Sequence, residues 1–203
     1  MINQIPYVVI AYLIGSISFG ILASKIFSIT DPRKMGSKNP GATNVLRTGN
    51  KKAAFFTLFG DMLKAFLVVG SAIFFNISHN ILIAISIAVL IGHMYPIYYR
   101  FKGGKGVATA LGILLAINWM LALAVMVVWL SVFYLSKYSS LSAITAAASS
   151  PLIAYAINQD QNIIILSILI TLLVIFRHRN NIRNLLNGTC LLYTSPSPRD
   201  NGR

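Results

Sequence analysis

Apolar runs long enough to cross a lipid bilayer recur along this chain, at residues 5–27, 53–75, 81–99, 141–157 and 163–176. A hydrocarbon core of ~30 Å is crossed by a helix of about 20 residues, rising ~1.5 Å per residue. The fifth run is short, whereas a further stretch, 107–135, is long for one span; as a straight helix it would extend about 43 Å without strong tilt. Asn118 offers a polar break near its middle. Composition agrees with a bilayer as solvent, since 56% of the residues are hydrophobic and 10% charged, against about a quarter charged in soluble domains. No soluble domain is evident. The run 5–27 is longer than a signal-peptide core, lacks a preceding cation and a small-residue cleavage pattern, and is expected to remain as a span. A single cysteine, Cys190, allows neither an internal disulfide nor a cysteine-based metal site.

Charge decides the number of crossings. The net charge is +13, from 17 Lys and Arg against 4 Asp and Glu, so the cations gather in the few polar segments. If 107–135 splits at Asn118, segments 28–52, 100–106, 136–140 and the stretch from 177 share one side and hold nearly every Lys and Arg. The opposite side, at 76–80, Asn118 and 158–162, then has no Lys or Arg and one acid, Asp160. Left as one span, the same stretch would carry Lys137, Arg177, Arg179 and Arg183 to the outer side, against the positive-inside rule. The expectation is an all-α integral membrane protein of seven transmembrane helices, amino terminus outside and carboxyl terminus cytoplasmic. The half before Asn118 is expected to be a partial or deeply buried helix whose start lies inside the protein. Residues 1–189 read as one membrane-embedded domain, and 190–203, abruptly rich in Ser, Pro and Arg, as a non-native tail.

Three polar segments on the basic side carry candidate chemistry. In M-G-S-K-N-P-G-A-T-N-V-L-R, residues 35–47, small residues let backbone approach a ligand, and Ser37, Thr43 and Asn44 can add hydrogen bonds beside Arg47. An ordinary reversal at Asn39-Pro40-Gly41 is the alternative for the turn residues. In R-F-K-G-G-K-G-V-A-T, residues 100–109, Lys102, Gly103, Gly104, Lys105 and Gly106 precede an apolar helix, the ingredients of a phosphate cradle. The spacing is not that of a P-loop, and a lipid-binding patch is the alternative, although such a patch needs no glycines. In R-H-R-N-N-I-R-N-L-L-N-G, residues 177–188, His178 is a candidate base or phosphate partner, or an interfacial polar residue, with Asn181 at helical spacing from it. Within the spans, Asp61 and Lys64 stand one turn apart as a candidate ion pair, and His93 reads as an orienting residue.

Together these segments resemble the bacterial acyl-phosphate-dependent glycerol-3-phosphate acyltransferases, over about residues 1–188. The first motif is G-S-K-N-P-G-A-T-N-V-L-R, the second G-H-M-Y-P with F-K-G-G-K-G-V-A-T, and the third H-R-N-N-I-R-N-L-L-N-G. The resemblance implies transfer of a fatty acyl group from acyl phosphate to the first hydroxyl of glycerol 3-phosphate, giving lysophosphatidic acid and inorganic phosphate. It implies catalytic roles for Ser37, Arg47, Lys105, His178 and Asn181. Gly41, Thr43, Asn44, Lys102, Gly103, Gly104 and Gly106 would bind substrate, and Asp61, Lys64 and His93 would support the site. It further implies a bacterial cytoplasmic membrane location, a site facing the cytoplasm, no cofactor and no nucleic-acid partner; no metal is expected, because the sequence offers no carboxylate cluster to hold one. Membrane lipid and the soluble enzyme that makes acyl phosphate are the implied partners. One departure is plain: the third motif ordinarily continues Gly-x-Glu, but Thr189 and Cys190 follow Gly188, and the carboxylate is absent.

The chemistry needs cations to hold two phosphate-bearing substrates side by side against several kcal/mol of repulsion in a partly dry site. Acyl phosphate is an activated anhydride, so direct attack requires positioning and oxyanion stabilisation rather than a covalent intermediate. A His-x-x-x-x-Asp acyltransferase is excluded, because Ala84, Tyr98 and Arg183 stand five residues after His79, His93 and His178. A Gly-x-Ser-x-Gly nucleophile elbow is also absent. A carrier of phosphorylated solutes would suit broken helices and intramembrane charge, but the outer side lacks cations to receive an anion.

Overall fold

The computed structural model describes residues 4–157 and 161–192. Asp160 and the tail from 193 onward lie outside the described residues. Among the described residues every regular element is helical. The α-helices are α1 (Ile5–Gly15), α2 (Phe19–Ile26), α3 (Ala42–Leu46), α4 (Lys51–Phe74), α5 (His79–Met94), α6 (Val107–Ile117), α7 (Trp119–Ser136), α8 (Ser139–Ile157), α9 (Gln161–Arg177) and α10 (Arg179–Leu186). Four helices are long and apolar enough to cross a membrane, six if each of two bent pairs counts as one span, and α6 is a shorter apolar helix. Large apolar side chains such as Phe55, Leu67, Leu135 and Leu172 are exposed along α4, α7 and α9. Water would not tolerate surfaces of this kind, whereas lipid does. The chain is an integral membrane protein.

The expected break at Asn118 is present and has a local cause. Asn118 adopts an extended backbone and its Oδ1 accepts from the Leu121 amide, capping α7. As expected, the half before it is short and buried: α6 packs along α4, and a Cβ added to Gly112 would lie 2.1 Å from the Met62 carbonyl oxygen. Close backbone approach through small residues replaces the hydrophobic effect as the packing principle between helices in lipid. The same device joins α1 to α5, where Gly15 faces the Val89 backbone and Gly92 faces Tyr12.

The run 5–27, expected to remain as a span, is a bent pair of helices: α1 and α2 meet at 40° about residues 16–18. Broken helices expose backbone groups that lipid cannot satisfy. Lys64 of α4 donates to the Ile17 carbonyl at 2.6 Å, and Asp61 accepts from the Phe19 amide at 3.5 Å. In α8, Pro151 deprives the Ala147 carbonyl of its helical donor. Thr171 of α9 supplies one instead, at 2.6 Å. These exchanges tie neighbouring helices together where each backbone is interrupted.

Candidate active site

The first polar loop is knitted together by one buried side chain. Asn44 of α3 is 1% exposed; its Nδ2 donates to the carbonyls of Pro32 and Met35, at 2.7 and 3.2 Å, and its Oδ1 accepts from the Ser37 amide at 3.0 Å. Arg47 Nη1 reaches the same oxygen at 3.3 Å. Asn44, expected to bind ligand, thus also shapes the loop and orients Arg47. The buried Nε–H of Arg47 has no protein acceptor, although a buried donor normally finds one. The neighbouring Thr43 hydroxyl lies 3.2 Å from that of Ser139 at the start of α8.

The glycines of the second loop are required by packing. A Cβ on Gly103 would lie 2.3 Å from the His93 carbonyl oxygen, and one on Gly104 2.1 Å from His93 Nε2. Gly106 caps α6 with φ +87°, a left-handed conformation that glycine adopts without steric cost. The loop is seated so tightly against α5 that Gly104 is buried and stands back from the cavity that Gly103, Lys105 and Gly106 line, and Lys102 is exposed at the surface. Both depart from the expected phosphate cradle. Lys105 does turn inward and donates from Nζ to Asn181 Oδ1 of α10. Burial pushes its pKa down to about 8, helped by Arg177 and Arg47 and opposed by Cys190.

His178 stands between α9 and α10, 2% exposed. Its Nδ1 lies 2.8 Å from the Val174 carbonyl oxygen, so Nδ1 carries the proton and Nε2 offers a lone pair. Burial, then the nearby Lys105 charge, push its pKa down to about 4. It is neutral at pH 7, an acceptor of hydrogen bonds and a weak base.

A cavity of about 940 Å³ joins these residues. Ser37, Gly41, Thr43, Asn44, Arg47, Gly103, Lys105, Gly106, His178 and Asn181 line its polar part. Its apolar part runs between α4, α6, α7, α8 and α9, past Leu58, Leu114, Met126, Ala146 and Ile170. Cationic side chains including Arg47, Lys105 and Arg177 line it against one acid, Asp61, which is paired. Ser139, Arg177 and Asn180 also line it and were not singled out in the sequence. Ser139 and Arg177 lie within segments of the basic side but have no adjacent glycines to mark them. Among the described residues no cluster of three or more His, Cys, Asp or Glu could hold a metal ion.

Beneath the polar part lies a charged cluster within the spans. Lys64 Nζ is 2.8 Å from Asp61 Oδ1, the ion pair expected, and 3.1 Å from His93 Nδ1. His93 in turn covers Gly104, and its carbonyl accepts from the Gly104 amide at 3.0 Å. The cluster therefore connects the helix break at residues 16–18 to the loop that presents Lys105.

The family model described as glycerol-3-phosphate acyltransferase matches residues 5–188. The chain belongs to the glycerol-3-phosphate acyltransferase family. Curated relatives of that name include one from Methylobacillus flagellatus, 51% identical over 92% of this chain and 95% of its own length. Another, from a Janthinobacterium species, is 49% identical over 92% and 94%. Among solved structures, the glycerol 3-phosphate form of PlsY, an integral membrane glycerol 3-phosphate acyltransferase, superposes with a TM-score of 0.87 at 40% identity, covering 93% of this chain and 94% of that one. Its lysophosphatidic acid form gives 0.86 at 39%. Glycerol-3-phosphate acyltransferases are thus similar to this chain in sequence and in fold over nearly the whole length of both.

Proposed function

We propose that the chain transfers a fatty acyl group from acyl phosphate to the sn-1 hydroxyl of glycerol 3-phosphate, releasing lysophosphatidic acid and inorganic phosphate. The carrying observation is a single cavity with a cationic part and an apolar part, in which a buried Arg47 Nε–H awaits an acceptor. Phosphates would lie between Arg47 and Lys105, and the acyl chain along α4, α7 and α8. The relatives' glycerol 3-phosphate and lysophosphatidic acid forms support the assignment of substrate and product.

In the step itself the substrate's hydroxyl oxygen bonds to the acyl carbon, and the bond from that carbon to the phosphate oxygen breaks, its electron pair leaving with phosphate. Lys105 and Arg47 stabilise the charge that gathers there. His178, neutral with Nε2 unprotonated, accepts the hydroxyl's hydrogen bond and aims the oxygen. The substrate phosphate, with a second pKa of ~6, is a stronger base than an imidazole held at about 4, and takes the proton. Purified protein incubated with labelled glycerol 3-phosphate and either acyl phosphate or acyl-CoA tests the reading. Equimolar lysophosphatidic acid and phosphate from acyl phosphate is expected; product from acyl-CoA alone would refute it.

The same reading places seven spans in a bacterial cytoplasmic membrane, with α6 as a partial span, the amino terminus outside and the cavity's polar part facing the cytoplasm. The cation distribution supports this arrangement. In a Cys190→Ser background, single cysteines at Asn76 and Lys137 should react with an impermeant maleimide from opposite sides of the membrane. A soluble enzyme making acyl phosphate would deliver the donor at the cytoplasmic face.

A further inference from the structure

Between the second and third motifs stands a side chain with no role assigned so far. Arg177, the last residue of α9, donates from Nε to the Gly104 carbonyl at 3.1 Å and from Nη2 to the carbonyls of Gly103 and Gly104, at 3.2 and 2.9 Å. Its guanidinium also lies over the Tyr95 ring, 4.7 Å from the centroid. Tyr95 is itself fixed, its carbonyl accepting from the Tyr12 hydroxyl at 2.8 Å. The loop is held on its other side by His93, through the Gly104 amide.

We propose that Arg177 is a positioning residue that clamps the Gly103–Gly104 backbone between α9 and α5 and so sets where Lys105 meets the anionic substrate. Two arguments carry it. Glycine-rich backbone has many conformations to lose on ordering, and the loop lies just before a residue whose placement the chemistry needs. A rigid planar fork that engages two consecutive carbonyls supplies that order, and a lysine ammonium cannot reproduce it. The second argument is electrostatic. Carbonyl dipoles left free beside an anion site oppose the anion, whereas these two are spent on a cation.

The inference rests on the glycerol 3-phosphate reading only for the identity of the substrate, so its test has one arm that needs no turnover. Hydrogen exchange of the peptide spanning 101–106, followed in detergent by mass spectrometry, should quicken in Arg177→Lys and Arg177→Met. Both variants should keep wild-type helical content and a single size-exclusion peak. In the kinetic arm, KM for glycerol 3-phosphate should rise about tenfold in Arg177→Lys with kcat little changed, the signature of lost ground-state positioning.

Arg177→Met should do the same and also move the alkaline limb of activity upward. Arg177 and Arg47 hold the Lys105 pKa down while Cys190 opposes them. Arg177→Lys keeps the charge and should leave that limb in place. Wild-type exchange and wild-type KM in both folded variants would overturn the proposal. So would a fall in kcat at unchanged KM, which would make Arg177 a group acting on the transition state. Absence of lysophosphatidic acid from the wild-type protein would instead sink the substrate reading and leave the exchange result to decide this one.

Discussion

Lys105 Nζ donates to Asn181 Oδ1, joining the loop before α6 to α10 across 76 residues of sequence. The pair brings the second and third motifs to one point and leaves the ammonium with further donors for a phosphate. Lys105→Met removes the cation from a partly dry site, and kcat/KM should fall by about 100-fold or more, as for loss of a preorganised donor. Asn181→Asp should cost more than Asn181→Ala, because the new carboxylate neutralises Lys105 and repels both substrates. Initial rates of lysophosphatidic acid formation measure both comparisons.

The buried position of Lys105 also gives activity an alkaline limit. Its pKa is down at about 8, so the side chain is cationic below that pH and loses its charge above it. KM for glycerol 3-phosphate should therefore rise above about pH 8, well before an ordinary lysine at ~10.4 would titrate. Lys105→Arg, if it turns over, should carry that limb upward, since guanidinium stays charged. His178, held near 4, should contribute no limb between pH 5 and 8. KM measured from pH 6 to 10 on both proteins decides.

What could be read in the sequence was whatever repeats or concentrates. Apolar length marked the long helices, and cation asymmetry pointed to the break at Asn118, whose side chain caps α7 by accepting from the Leu121 amide. Three basic, small-residue segments marked the cavity. The bend at residues 16–18 escaped because no Pro or charge marks it; its cause is distributed over Lys64 and Asp61 of another helix. Arg177 escaped because its partners are backbone carbonyls, which leave no pattern in a sequence. The loop-shaping role of Asn44 was not legible, since an amide at a polar bend suits ligand binding or loop structure alike and only its four hydrogen bonds reveal the second.

The Asp61–Lys64 pair is buried, and its removal should be costly in an asymmetric way. Asp61→Asn leaves a buried ammonium without its carboxylate, for which a loss of about 3–5 kcal/mol is expected. The double variant Asp61→Asn with Lys64→Met removes both charges and should recover part of that loss. It should not reach wild-type stability, because the Ile17 carbonyl would then lose its donor at the helix break. Thermal unfolding midpoints in detergent rank the three proteins, and equal stability of the single and double variants would refute the pairing argument.

Arg47 has a competitor within the chain itself. Its Nη2 donates to the Leu192 carbonyl at 3.1 Å, while Cys190 Sγ lies 3.3 Å from the Ser140 hydroxyl, so residues 190–192 lie against the cavity's polar part. An anion seeking the guanidinium must displace that carbonyl, a net cost of about 0.5–1.5 kcal/mol for one hydrogen bond. A chain stopped after Thr189 should accordingly show a KM for glycerol 3-phosphate lower by about 2- to 10-fold. Its kcat should be unchanged, because the residues removed touch none of the reacting atoms. Adding Arg47→Lys to the shortened chain should cancel the gain, since the ammonium cannot reach Asn44 and the substrate as the fork does. Equal KM for the full and shortened proteins would show that the Leu192 contact does not compete with substrate.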